Sequence, residues 1–192
     1  MPDDRSATEP DSSKICYHWP RLELRSFFDR AVRASFLDLA IRDDATAGYL
    51  ADLLTRFART ENLYPPGASL PRLETVVDML LDAQAAWRED SPWFRPEHEV
   101  AVRRHIGDYT LFMTGIFPER VERVASTRYY IDQGKRAYQF VSEHDRASER
   151  STAPVYRRLA DRFESYARSL DYARRVYFAE HLQPPFFRFG FG

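Results

Sequence analysis

From Leu24 to Tyr177 the apolar residues of this chain recur every three or four positions, and no stretch of useful length alternates apolar with polar. That spacing lines one side of an α-helix, whereas a half-buried strand repeats every second residue. The chain is thereby confined to packing helix on helix. Its 192 residues, 44% of them apolar, fit one domain with a substantial core. No internal repeat is visible.

Turn and cap residues divide the pattern. Residues 1–14 are polar and rich in Asp, Ser and Pro, which predicts a disordered lead. A first helix is expected from about Arg21 to Ile41, with Leu24, Phe28, Val32, Phe36 and Leu39 inward. Asp43 or Asp44 caps a second that places Leu50, Leu53, Leu54 and Phe57 inside. Tyr64-Pro-Pro-Gly67 interrupts, because proline cannot donate a helical hydrogen bond. Ser69 and Pro71 start a third helix ending near Glu89, with Leu73, Val76, Val77, Leu80 and Trp87 inward. Pro96 opens a fourth, which stops before Pro118. A short helix over 118–125 precedes a fifth, capped by Ser126 or Thr127 and reaching His144. A polar loop over 145–151 leads to a sixth, from Thr152 and Pro154 to about Glu180. The expectation is an all-α, single-domain bundle of about six main helices over 15–182, with a buried central helix near 96–117.

The central helix carries the unusual polar content. Between Arg104 and Glu119 its only formal charge is Asp108, with His105 and Tyr109 close by. At about 100° per residue, Phe112, His105, Ile116, Tyr109, Val102 and Met113 share one broad arc. Gly107, Leu111, Thr114 and Gly115 form a small opposite face, so the helix is expected to pack on both sides. The fifth helix carries Tyr130, Ile131, Gly134, Ala137, Tyr138 and Val141 on its apolar face. Glycine inside a helix costs about 1 kcal/mol relative to alanine, so these glycines imply close approach of another helix or of a ligand.

Two readings follow. In one, His105, Asp108 and Tyr109 are closed off by packing and hydrogen-bonded to one another, and the chain is a cytoplasmic, dimeric binding or interaction module without catalysis. In the other, His105, Gly107, Asp108, Tyr109, Tyr130, Gly134 and Tyr138 line an interhelical pocket of an enzyme or small-molecule sensor. Asp108 or His105 then acts as acid, base or ligand anchor, and Gly107 admits the ligand close to the backbone.

Several chemistries have no motif. No glutamate has histidine three residues later, as a di-iron bundle needs. His98-Glu99 is followed by Val-Ala-Val and not by the zinc-protease pattern. His98 and His105 lie about 10 Å apart along one helix and cannot share a metal. Asp78 and Asp82 read as a solvated face, and Cys16 beside His18 lacks the context of a nucleophile–base pair. No catalytic residue, metal ligand or cofactor is assigned. The 28 basic and 29 acidic residues nearly cancel, which argues against a nucleic-acid partner. A single cysteine, a polar N-terminus and the lack of a long apolar run predict a cytoplasmic protein without a membrane span.

Residues 183–192, Gln-Pro-Pro-Phe-Phe-Arg-Phe-Gly-Phe-Gly, form an aromatic tail. Burying a phenylalanine is worth roughly 2 kcal/mol, so Phe186, Phe187, Phe189 and Phe191 are expected to dock. The surface is either the chain's own body, a second copy in a homodimer or a protein partner.

The run Gly107-Asp-Tyr-Thr-Leu-Phe-Met-Thr-Gly-Ile-Phe-Pro118, followed by Tyr129-Tyr-Ile-Asp-Gln-Gly-Lys-Arg-Ala-Tyr138, resembles a group of bacterial all-helical hypothetical proteins. The resemblance covers about the middle third of the chain. It implies a cytoplasmic helical protein and supplies no catalytic residue. Gly107-Asp108 is also similar to the Gly-Asp on the distal helix of heme oxygenases. This chain departs from that pattern, because Tyr109-Thr-Leu-Phe stands where heme oxygenases carry a glycine pair.

Overall fold

The computed structural model describes residues 21–58, 76, 77, 79 and 96–178. Among them the elements are α1 (Arg21–Asp38), α2 (Asp44–Phe57), α3 (Pro96–Ile116), α4 (Pro118–Val124), α5 (Thr127–Ala147), α6 (Ala153–Asp161) and α7 (Phe163–Ala173), then a π-helical turn (Arg174–Phe178). No strand occurs among the described residues. The fold is an all-α helix bundle.

Its centre is α3. Every residue from His105 to Ile116 is buried, so the aromatic arc and the small face are both covered. The most extensive contact of α3 is with α5, followed by α7, while α4 and α2 meet it more briefly. Glycines set these distances. A Cβ at Gly107 would lie 2.7 Å from ring carbons of Tyr138 on α5. One at Gly115 would lie 2.6 Å from Leu170 Cβ on α7. At Gly134 it would press on the Phe163 ring and come within 2.5 Å of Thr110 Oγ1. Thr110 and Thr114 turn their hydroxyls back to the Ile106 and Thr110 carbonyls, each at 2.7 Å, so the small face buries no unsatisfied hydroxyl.

Helix starts follow the expected caps. Asp43 accepts from the Thr46 amide at 3.1 Å to cap α2, and Ser126 accepts from the Tyr129 amide to cap α5. Two helix ends differ from expectation. α1 stops at Asp38, with Ala40 in the left-handed region (φ 55°) and the Ile41 amide donating back to the Phe36 carbonyl at 2.8 Å. α5 runs on to Ala147, with Glu149 at φ 54° and the Arg150 amide on the Asp145 carbonyl. Both are Schellman-type stops on residues other than glycine, so glycine does not flag them in the sequence.

The long sixth helix of the apolar pattern is two helices. Arg162, at φ −121° and ψ 28°, leaves helical geometry between α6 and α7. The stripe survives because Leu159, Phe163, Tyr166, Leu170 and Ala173 are all buried on either side of the break. Of the expected third helix, Val76 and Met79 are buried, but Val77 is 51% exposed, not inward. Val76 and Met79 share a face three residues apart, which turns Val77 about 100° away. The N-terminal 1–14 segment, Cys16, His18, most of the third helix with Asp78 and Asp82, and the tail 183–192 lie outside the described residues.

These contacts fix the sign of small substitutions. Gly134→Ala is expected to cost about 1–3 kcal/mol through overpacking. Gly48→Ala on α2, where a Cβ meets nothing within 4 Å, is expected to stabilise by about 0.5–1 kcal/mol. Ala40→Gly is expected to stabilise by a similar amount, about 0.5–1 kcal/mol, by relieving the left-handed backbone. Urea unfolding of the three variants checks all three signs.

Candidate functional site

Asp108 sits two turns before the end of α3, where the helix is covered on all sides, and its residue is 1% exposed. A carboxyl buried there requires donors. Three reach it. The Tyr49 hydroxyl of α2 and the Tyr138 hydroxyl of α5 both donate to Oδ1, the latter at 2.9 Å. Arg56 of α2 donates from Nη2 to Oδ2 at 2.9 Å. Tyr49 and Arg56 are seven residues apart, hence at nearly the same angle on α2. The ring of Tyr138 lies over Gly107, one residue before the carboxyl that its hydroxyl engages.

A second layer surrounds these groups. The Tyr156 ring on α6 meets Tyr49 edge-on at 5.5 Å and stacks with Tyr138 at 6.0 Å. Its hydroxyl interacts with Tyr49 and with the Arg104 guanidinium. Burial and the charge of Asp108 push the Tyr49 and Tyr138 hydroxyls well above the ordinary tyrosine range, so both stay neutral donors. Burial alone disfavours the Arg56 cation, but Asp108 beside it outweighs that and holds the guanidinium charged.

The hydrogen bonding expected within His105, Asp108 and Tyr109 does not join Asp108 to the other two. All of Asp108's bonds go to Tyr49, Tyr138 and Arg56, neither to His105 or Tyr109 nor to neighbouring Arg104. His105 stacks on Tyr109 with centroids 6.5 Å apart and meets Phe57 edge-on at 5.6 Å. Tyr109 in turn bonds the Tyr130 hydroxyl. Gly107, Asp108 and Tyr138 thus form one cluster and His105, Tyr109 and Tyr130 another. Gly134 belongs with Phe163 and Thr110. Both clusters meet α2 and α5, but Asp108 stands about 60° from His105 and about 100° from Tyr109 around α3 and so reaches different residues of those helices.

Tyr49, Arg56, Tyr156 and Arg104 were not among the candidates. Tyr49 and Arg56 flank the α2 stripe of Leu50, Leu53, Leu54 and Phe57, and a shared angular position on the stripe's edge is the one signal the sequence carries for them. Two further buried carboxyls use similar donors. Asp43 accepts from the Tyr166 hydroxyl at 2.7 Å, from Thr46 Oγ1 at 2.7 Å and from Arg158 Nε at 2.9 Å. Asp145, expected in a polar loop, is buried on α5 and accepts from the Thr152 hydroxyl and from Arg150 at 3.4 Å.

Among the described residues no group of three or more His, Cys, Asp or Glu is placed to hold a metal ion. None of the described helices is long and apolar enough to cross a membrane. In comparisons with protein-family models, with curated proteins and with solved structures, nothing matches this chain.

Asp108→Ala leaves two buried hydroxyls without an acceptor, each costing about 1–3 kcal/mol. It is expected to destabilise more than Asp108→Asn, which keeps a carbonyl oxygen for them; chemical denaturation of the pair ranks the two. Asp43 supplies a pH test. Burial raises its carboxyl, but hydrogen bonds from Tyr166 and Thr46 and the Arg158 charge outweigh this and hold it below its ordinary value. Its contribution is full above the unfolded pKa, about 4, and is lost as pH falls through the lower folded value. Asp43→Asn keeps a capping oxygen and is expected to flatten that acid limb in unfolding measured from pH 6 to 2.5.

Proposed function

We propose that this chain is a cytoplasmic helical binding or interaction module without catalysis of its own, related to the bacterial all-helical group that its central segment resembles. The observation that carries the reading is the state of Asp108. A general acid, base or ligand anchor needs an oxygen free to meet substrate. Both oxygens of this carboxyl are engaged by two tyrosines and an arginine, and the residue is 1% exposed. His105, at 7% exposure, is enclosed between Phe57 and Tyr109. Polar groups held this way orient helices. Binding then falls to the surface, and Phe186, Phe187, Phe189 and Phe191 supply the apolar contact to a protein partner or a second copy.

A second reading, a helical-bundle enzyme or small-molecule sensor, is favoured by one observation. The Asp108 network reaches the surface through Arg56, whose side chain is 40% exposed, and through exposed Arg104. Native mass spectrometry and absorbance of the protein as isolated separate the two. The module is expected to show only the mass of the chain or its multiples, with no band above the aromatic region. A stoichiometric small molecule that Asp108→Asn releases would overturn this reading in favour of the second.

A further inference from the structure

The last turn of α1 has the wrong electrostatics for a helix end. The carbonyl end of a helix carries partial negative charge and favours cations. Here α1 ends on Asp38, and its last turn contains no basic residue. Two tyrosines partly compensate. The Tyr177 hydroxyl of the π-helical turn donates to Asp38, and Tyr172 of α7 bonds the same carboxyl. Their rings meet edge-on at 6.3 Å. Among the described residues no cation pairs with Asp38.

Apolar surface lies beside this carboxyl. Leu37 is 80% exposed and Val176, next to Tyr177, is 45% exposed. One residue further on, Phe178 is buried against Phe27 and Phe28, with centroids at 5.7 and 5.4 Å. The chain that follows carries Phe186-Phe187-Arg188-Phe189, a lone cation flanked by aromatic rings. The eight steps from Phe178 to Phe186 span at most about 29 Å, a little more than the whole length of α1, about 27 Å.

We propose that Phe186-Phe187-Arg188-Phe189 docks on this patch of its own chain, with the phenylalanines over Leu37 and Val176 and Arg188 against Asp38. The cation supplies the charge that the helix end lacks, and the rings cover its apolar border. The proposal deepens the interaction reading, since the same phenylalanines serve a partner there. Here the chain's own surface holds them at rest.

Photocrosslinking tests it in the full chain. Phe189 is replaced by p-benzoylphenylalanine, and light and 15N-labelled protein are mixed before irradiation. Crosslinks are expected within 34–38 or 172–178, in chains of one isotope only. Leu37→Asp or Arg188→Glu is expected to lower the yield at least fivefold, and Asp38→Arg with Arg188→Glu to restore most of it. Both positions 37 and 38 are exposed, so loss of yield with an unchanged circular dichroism spectrum reports docking. Crosslinks joining light to heavy chains would overturn self-docking while leaving the interaction reading standing. Crosslinks elsewhere on the body, or a yield that Leu37→Asp leaves unchanged, overturn it as well. A bound small molecule lost in Asp108→Asn overturns the interaction reading instead and leaves self-docking intact.

Discussion

A carboxyl in the middle of a fully covered helix must be met by donors from its neighbours, and Asp108 draws them from two helices at once. Tyr49 and Arg56 come from α2 and Tyr138 comes from α5. Apolar packing alone tolerates small rotations and slips of one helix along another. Directed bonds to a single fixed carboxyl do not. The bonds therefore select one register of α2 and α5 on α3. Gly107 belongs to the same device. Its missing side chain lets the Tyr138 ring lie against α3, which brings the hydroxyl to the adjacent Asp108.

The same donor chemistry recurs away from the centre. Asp43, Asp108 and Asp145 are each met by at least one hydroxyl and one guanidinium. Arginine suits this work because its charge persists and its rigid fork directs several donors. The chain holds only two lysines, Lys14 and Lys135, and Lys135 pairs at the surface with Glu164 at 2.9 Å. Such buried networks add little net stability compared with apolar packing of the same volume, and removing one member is costly.

What was legible in the sequence follows from which signals are local. The inward stripe of α2, the burial of α3 on both sides and the close contacts at Gly107, Gly115 and Gly134 all follow from angular position on a helix. The stops at Ala40 and Glu149 do not, because neither residue is glycine. The break at Arg162 has no proline or glycine to announce it. Asp145 lies in a run of polar residues that reads as a loop, and its burial depends on Thr152 and Arg150 folding back over it. At the candidate site, periodicity picked out Asp108 and Tyr138. It could not name Tyr49 or Arg56, which lie 59 and 52 residues away and sit at the margin of their own stripe.

The cap of α2 carries a consequence for the order in which the chain assembles. Asp43 and Thr46 form a local helix start, yet the same carboxyl is completed by Arg158 and Tyr166, which lie 115 and 123 residues further on and straddle the break between α6 and α7. Without them, the first turn of α2 keeps a carboxylate served only by its own neighbours. An N-terminal fragment can begin this helix but cannot finish securing it. Bonds that span so much sequence are late events in folding, because the loop they close is long. The C-terminal helices thus clasp the first turn of α2, so its cap is complete only when both ends of the chain have come together.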